Sequence, residues 1–243
     1  MDYAIIAAGD GSRLAREGIS TPKPLLKING APMIDRLIDI FIKCNATSVS
    51  VIVNEEMTEV SEHIESLRAS LPVPLNLLVR STPSSMHSFY ELSRYITGDS
   101  VCLTTVDTVF RLPEFRRFVR VFQNDTRSDG MMAITDYIDD EKPLYVKTST
   151  DFTIVGFYDS REEGCRYVSG GVYCLKRKAI DLLEKAISKG MSRMRNYQRL
   201  LLSEGLRITA FPFSKIIDVD HREDIDKAEH FLKLMHRCIL RNA

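Results

Sequence analysis

The sequence predicts an α/β fold in which a mostly parallel sheet is covered by helices on both faces. Three observations carry that expectation. Through residue 123, short β-branched runs alternate with segments of helical period; a glycine-rich loop directly follows the first apolar run; after residue 130 the texture shifts to short strands separated by polar turns. Alternation of the first kind is how parallel strands with crossover helices read in a sequence.

In chain order, residues 3–7 are a short apolar run ending in glycines and predict a buried strand. Pro32 opens a helix whose Met33, Ile34, Leu37, Ile38 and Phe41 share one face. Residues 48–53 (SVSVIV), 75–79 and 100–105 predict further strands, with helices over 58–70, 85–95 and 113–123 between and after them. Beyond 130, strands are expected at 131–135, 145–147, 152–158 and 167–175, helices at 179–189 and 193–203, strands at 207–211 and 215–219, and an amphipathic helix over 223–240. An α/β half followed by a more antiparallel half is the coarse picture. No internal repeat, low-complexity tract or linker interrupts it.

Composition bounds the function. The chain has 243 residues, of which 33 are Lys or Arg and 33 Asp or Glu, so the formal charge is zero. Binding to nucleic acid or an anionic membrane through bulk charge is not expected. The apolar runs fall short of the ~20 residues a spanning helix needs. Acidic Asp2 and a short apolar run at the start do not resemble a secretory leader, so a cytoplasmic address is expected. Five cysteines (Cys44, Cys102, Cys165, Cys174, Cys238) are an odd number without CxxC spacing, which predicts buried reduced thiols rather than zinc ligands.

The chemistry concentrates after the first strand, in Ala7-Ala8-Gly9-Asp10-Gly11-Ser12-Arg13-Leu14. Glycines let backbone N–H groups approach phosphate oxygens at the carboxyl edge of a parallel sheet. The dinucleotide fingerprint GxGxxG is broken by Leu14, and no GK[ST] follows to make a P-loop. What remains is a loop that holds an NTP with an arginine at its end. Ten residues on, Lys23 lies between Pro22 and Pro24, where the prolines predict a stiff, extended backbone. Arg13 and Lys23 therefore form a cation pair at one sheet edge.

Residues 3–38, YAIIAAGDGSRLAREGISTPKPLLKINGAPMIDRLI, resemble the signature of the nucleotidyltransferase superfamily that includes sugar-1-phosphate nucleotidylyltransferases. The resemblance implies a Rossmann-like three-layer α/β/α sandwich with a mostly parallel central sheet and a smaller antiparallel acceptor-side region. It implies one nucleotidyltransferase domain over 1–243, with a nucleotide-binding half (1–130) and an acceptor-binding half with the C-terminal helix (131–243). Its chemistry is transfer of NMP from an NTP to a phosphorylated small molecule, with Mg²⁺ (Mn²⁺ possible) as cofactor.

On that reading the catalytic residues are Arg13, Lys23 and Asp107. Nucleotide is held by Ala7, Ala8, Gly9, Gly11, Ser12, Arg13, Lys23, Thr82, Ser88 and Asp107. Asp107 follows the 100–105 strand, where the family places its main metal-binding aspartate; a turn or cap aspartate before Pro113 is the competing account. Asp218 is the second expected metal ligand. Asp218 and Asp220 are expected to project to the same side of an extended stretch, and Asp220 is the reserve ligand or a cap on the last helix. His221 and Arg222 stand where the family has threonine and proline, and neither is assigned a role.

Residues 81–88 occupy the base-contacting position, without the family's usual Gly-Thr-Ala or Gly-Leu-Ala. Ser169, Gly170 and Gly171 resemble the strand that lines the acceptor pocket, a glycine bulge being the alternative. The usual Glu-Lys-Pro ahead of it is absent, Glu162-Glu163-Gly164 standing nearby without a lysine. Arg193, Arg195 and Arg199 form either a solvated helix face or a grip for an acceptor phosphate. The expected partners are an NTP and a phosphorylated small molecule, with a sugar 1-phosphate as the expected acceptor, and no nucleic acid and no membrane. Two competitors stay open: a cytidylyltransferase acting on phosphocholine or a similar non-sugar phosphate, and a non-catalytic nucleotide sensor. A glycosyltransferase would show a DxD where Asp107-Thr108-Val109 stands, and no hexapeptide repeats announce an appended acyltransferase.

Overall fold

A computed structural model describes residues 1–239, with side chains through Lys233. The expected end of the last helix at Leu240 and the side chain of Cys238 therefore lie outside the described residues. Strand β1 (Asp2–Ala7) leads through the glycine loop to a short helix α1 (Ser12–Arg16), then to a small ribbon, β2 (Lys27–Ile28) and β3 (Ala31–Pro32). Helix α2 (Met33–Lys43), β4 (Ser48–Val53), α3 (Thr58–Leu67), β5 (Leu75–Val79), α4 (Ser85–Ser93) and β6 (Ser100–Thr105) complete the alternating region. There follow β7 (Thr108–Val109), α5 (Leu112–Asn124), β8 (Gly130–Thr135), β9 (Tyr145–Thr148), β10 (Ile154–Tyr158) and β11 (Tyr167–Lys176). The chain closes with α6 (Arg177–Ser188), α7 (Met194–Ser203), β12 (Ile208–Phe213), β13 (Ile217–Asp218) and α8 (Arg222–Ile239).

Nine strands form one sheet, ordered β10-β9-β11-β6-β1-β4-β5, with β8 and β12 added beside β11. β6, β1, β4 and β5 are mutually parallel, whereas β11 runs antiparallel to β6, β8 and β9. The predicted Rossmann-like three-layer arrangement is what the structure shows. Side chains of β1 alternate between two cores: Tyr3, Ile5 and Ala7 pack with α2, α3, α5 and α8, while Ala4 and Ile6 pack with α4, α6 and α7.

Chain direction reverses beside β1. From β1 the chain steps outward to β4 and β5, then returns through α4 to β6 on the opposite flank. That switch opens a crevice at the carboxyl ends of β1 and β6, the place where open α/β sheets bind ligands. The long β11 extends the crevice. Its second half pairs with β6 and its first half with β9, with a register shift against β8 between Ser169 and Tyr173.

Several local expectations are corrected. Lys23 is not on an extended segment: Pro22 is extended (φ −54°, ψ 136°), and Lys23–Leu25 then forms one 3₁₀ turn. A proline at the second position of such a turn is tolerated because its missing N–H would have no partner there. The strand expected over 215–219 shrinks to β13, a two-residue pair with β7. β12 adds parallel to β8, so the later region is not purely antiparallel.

Candidate active site

The glycine loop leaves β1 at the switch point. Gly11 takes φ +63°, a left-handed conformation open to glycine, and the Ser12 N–H donates to Asp10 Oδ1 at 3.2 Å. Ala8, Gly9, Gly11, Ser12, Arg13, Lys23, Thr82, Ser88 and Asp107 all line one cleft of about 710 Å³. Ala7 does not. It is 1% exposed, because its position on β1 turns its methyl into the α2-side core.

Four charged side chains meet across this cleft. Lys23 Nζ lies 2.7 Å from Asp107 Oδ2 and 2.7 Å from Asp220 Oδ1, and Arg13 Nη1 lies 2.5 Å from Asp220 Oδ2. Burial works against the Lys23 charge, but the Asp107 and Asp220 carboxylates outweigh it and hold the ammonium pKa above its ordinary value. Burial likewise works against ionised Asp107, and the Lys23 ammonium overrides it and lowers the pKa. Asp107 Oδ1 is buried with no hydrogen-bond partner.

Asp218 reaches the same place from β13. Pairing of Asp218 with Thr108, and the Val219 N–H donated to Asp107 O at 3.1 Å, clamp the two aspartate-bearing segments together. Crowding by surrounding protein, then repulsion from Asp107, raises the Asp218 pKa even though part of its side chain meets solvent. Asp218 and Asp220 share the small pocket beside Arg13 and diverge beyond it. Beyond Asp218 the strand ends in a tight turn, with the Asp220 N–H donated to Asp218 O at 3.1 Å. Asp220 faces the nucleotide-side cleft and Asp218 a second cavity beside β11.

The cap is also reassigned. Asp224 Oδ2 accepts from the Asp220 and His221 N–H groups at 3.1 and 2.8 Å, leaving the Asp220 carboxylate to the two cations. His221 and Arg222 fasten the start of α8 to the end of α1: His221 Nδ1 is 2.6 Å from Glu17 Oε1, and the Arg222 N–H donates to Glu17 Oε2 at 2.7 Å. Hydrogen bonding to Glu17 raises the His221 pKa.

The residues present fit a hard divalent cation. Two carboxylates stand together, one with a buried oxygen that nothing in the protein satisfies. Among the described residues no three His, Cys, Asp or Glu side chains converge, so the remaining coordination positions fall to phosphate oxygens and water, the arrangement Mg²⁺ accepts.

At the expected base-contacting loop, Thr82 Oγ1 and Ser88 Oγ are hydrogen-bonded at 2.6 Å, and His87 Nδ1 is 2.9 Å from Ser84 Oγ. Asn54, just past β4, also lines the cleft. It was detectable as the polar residue ending a strand at the same sheet edge.

Toward β11, Ser169 and Gly171 line the second cavity, of about 330 Å³, together with Tyr173, Arg193, Gln198 and Asp218. Gly170 turns instead to a smaller pocket beside Arg13, and a Cβ there would come within 2.3 Å of Ile216 Cδ1. Gly171 has φ +71°. The bulge account of the two glycines is thus correct for the backbone, and Ser169 carries the polar contact to the cavity. Of the three arginines, Arg195 and Arg199 bind Asp159 at 2.5 and 2.8 Å. Arg193 has no ion pair among the described residues; it enters α7 at φ +70°, its N–H donated to Ser84 Oγ at 3.3 Å.

A parallel sheet whose switch point carries a glycine loop, an arginine–lysine pair and converging aspartates defines a nucleotide-handling α/β protein. The family follows from comparison: residues 3–199 match the MobA-like NTP transferase domain, and the chain belongs to that family. It is 24% identical over 248 aligned residues to the bifunctional protein GlmU of Thermodesulfovibrio yellowstonii, covering 96% of this chain and 52% of the relative. The chain spans about half the length of such curated relatives. A 49-residue stretch is 43% identical to 2-aminoethylphosphonate cytidylyltransferase of Lancefieldella rimae, 20% of each chain. Among solved structures, the inositol-1-phosphate CTP transferase of T. maritima superposes with TM-score 0.77 at 17% identity, over 95% of this chain and 97% of that one. These structural likenesses concern the fold.

Proposed function

We propose that this protein transfers NMP from an NTP to a phosphorylated small molecule, with a sugar or polyol 1-phosphate as the acceptor, and releases pyrophosphate. The observation that carries the reading is the meeting of Arg13, Lys23, Asp107 and Asp220 at the switch point, with Asp218 close enough to be repelled by Asp107 and one Asp107 oxygen buried and unpartnered. Such a site suits phosphoryl chemistry, which needs positioned charge more than a covalent catalyst.

In this reading backbone N–H groups of the glycine loop hold the triphosphate, and Thr82, Ser88 and Asn54 face the nucleoside. Asp107 and Asp218 would hold a Mg²⁺ ion, whose chemistry is to neutralise phosphate charge and polarise the α-phosphate. An acceptor phosphate oxygen attacks the α-phosphorus, a new P–O bond forms, and the bond to the β-phosphate oxygen breaks. Lys23 steadies the α-phosphate and the incoming anion. Arg13 exchanges Asp220 for the departing pyrophosphate, where its charge matters most as the leaving group develops. The nucleophile is already anionic, so no general base is required.

A second reading, a cytidylyltransferase for a small non-sugar phosphate or phosphonate, is favoured by the stretch shared with the Lancefieldella enzyme. The test is pyrophosphate release from four NTPs, each offered glucose 1-phosphate, inositol 1-phosphate or phosphocholine, with Mg²⁺ and with excess chelator. Release that depends on a polyol phosphate and stops in chelator is the expected result. Release undiminished by chelator would sink the metal assignment, and no release at all would leave the sensor alternative.

A further inference from the structure

A buried glutamine has no part in the chemistry above. Gln198 is 1% exposed on a face of α7 otherwise built from Met194, Tyr197, Leu200 and Leu201. Its Nε2 donates to Ser169 Oγ at 3.2 Å and lies 3.6 Å from Met132 Sδ. Tyr173 lies beside them, and burial pushes its hydroxyl up to about 12 and so keeps it protonated. Gln198, Ser169 and Tyr173 share the cavity that Asp218 also lines. Among the described residues no donor reaches Gln198 Oε1, and the atom is not sealed away from that cavity.

The order of donors fixes what the cavity offers. The Gln198 amide N–H groups are spent on Ser169 and Met132, which leaves the Gln198 carbonyl as an acceptor and the Tyr173 hydroxyl as a donor. One acceptor beside one donor is the complement of an alcohol, which both gives and takes a hydrogen bond. A quaternary ammonium wants a cage of aromatic faces. Tyr173 is the one aromatic residue lining this cavity among those described, so such a cage is absent from them.

We propose that Gln198 is a specificity-determining residue: with Tyr173 it reads one hydroxyl of the acceptor, selecting hydroxylated phosphates over quaternary-ammonium phosphates such as phosphocholine. The inference rests on the nucleotidyl-transfer reading above. It is tested by pyrophosphate release from glucose 1-phosphate, inositol 1-phosphate, their monodeoxy analogues and phosphocholine, with the wild type, Gln198→Met and Tyr173→Phe.

For whichever polyol is turned over, removal of one particular hydroxyl should lower kcat/KM about 10- to 100-fold, the range for a lost hydrogen bond that leaves its partner unpaired. Gln198→Met should lower kcat/KM for the parent acceptor by a similar factor, scarcely change it for that deoxy analogue, and leave KM for the NTP unaltered. Tyr173→Phe, which keeps the shape of the site, should repeat the pattern and decides the matter if Gln198→Met does not fold. Equal losses on the parent and every deoxy acceptor would overturn the inference. Turnover of phosphocholine and of no polyol would overturn it while nucleotidyl transfer stands. Turnover of none would remove both.

Discussion

Two aspartates beside neighbouring strands of one sheet, each with a buried carboxylate oxygen, behave differently. Asp2 begins β1 and is 3% exposed; Asp107 follows β6 at the opposite end. Asp2 Oδ1 accepts from Thr47 Oγ1 at 2.7 Å and Ser48 Oγ at 2.8 Å, and Oδ2 accepts from the Thr97 and Gly98 N–H groups at 3.0 and 2.8 Å. Burial pushes its pKa up, but these four hydrogen bonds outweigh burial and hold it below 3.8. Asp107 has Lys23 on one oxygen and nothing on the other. The first carboxylate is completed by the fold and ties the loops before β4 and β6 to β1. The second is left incomplete by the fold, which is what the proposed metal role asks of it. A buried carboxylate is therefore read as structural or functional from whether the protein itself satisfies it.

The largest effects that would break this contrast are on turnover. Asp107→Asn and Asp218→Asn should each lower kcat at least 100-fold, the scale of losing positioned charge at a transition state. The double variant should be little worse than either single one, since the two act as a unit. Both proteins should stay folded, because the substitution relieves the repulsion that raises Asp218. Asp2→Asn should do the reverse, leaving kcat unchanged and lowering stability in denaturant by about 2 kcal/mol, because an amide nitrogen facing an N–H donor leaves that donor unsatisfied. Loss of activity in Asp2→Asn without loss of stability would break the comparison.

Acid titration sharpens it. The Asp2 pKa is lowered on folding, so its contribution is complete above the unfolded value, near 3.8, and is lost as pH falls through the folded value. The stability gap between wild type and Asp2→Asn should therefore be full at pH 7 and shrink below pH ~4. A gap that widens on acidification would contradict the sign.

Next in size is Gly170→Ala. Its Cβ must displace Ile216, so a loss of about 1–3 kcal/mol of stability is expected from thermal denaturation. Smallest is Arg193→Gly, which relaxes φ +70° at the entry to α7. It should raise stability by up to about 1 kcal/mol while lowering kcat/KM for the acceptor, the pattern of strain kept at a working site. A variant both less stable and fully active would show that Arg193 serves the fold alone.

Much of the fold was legible in the residues. The runs at 48–53 and 100–105 are short and β-branched, 75–79 is a short apolar run behind Pro72 and Pro74, and the structure gives all three those bounds. Pro32 and the apolar spacing behind it announced α2. Partners were not legible where contact is made by distant chain. β13 exists only through its pairing with β7, 108 residues earlier, and two residues carry no periodicity.

In the candidate site, the glycine loop, Arg13, Lys23 and Asp107 were found because each has a local signature. Asp220 read as a reserve metal ligand or a cap, since neither Arg13 nor Lys23 is near it in sequence, and only folding reveals that it holds both. Gln198 had a signal: one polar residue on the apolar face of α7. Ala7 was included with the glycine loop because the end of a strand does not show in sequence which way its last side chain turns.

The central claim is that the incomplete aspartate marks where the chemistry happens. Its most direct test is pyrophosphate release, measured side by side for wild type, Asp107→Asn and Asp2→Asn, with saturating NTP, acceptor and Mg²⁺ at a temperature where all three are folded. Wild type and Asp2→Asn should release pyrophosphate at equal rates, with Asp107→Asn at least 100-fold slower. Equal rates from wild type and Asp107→Asn would contradict the claim.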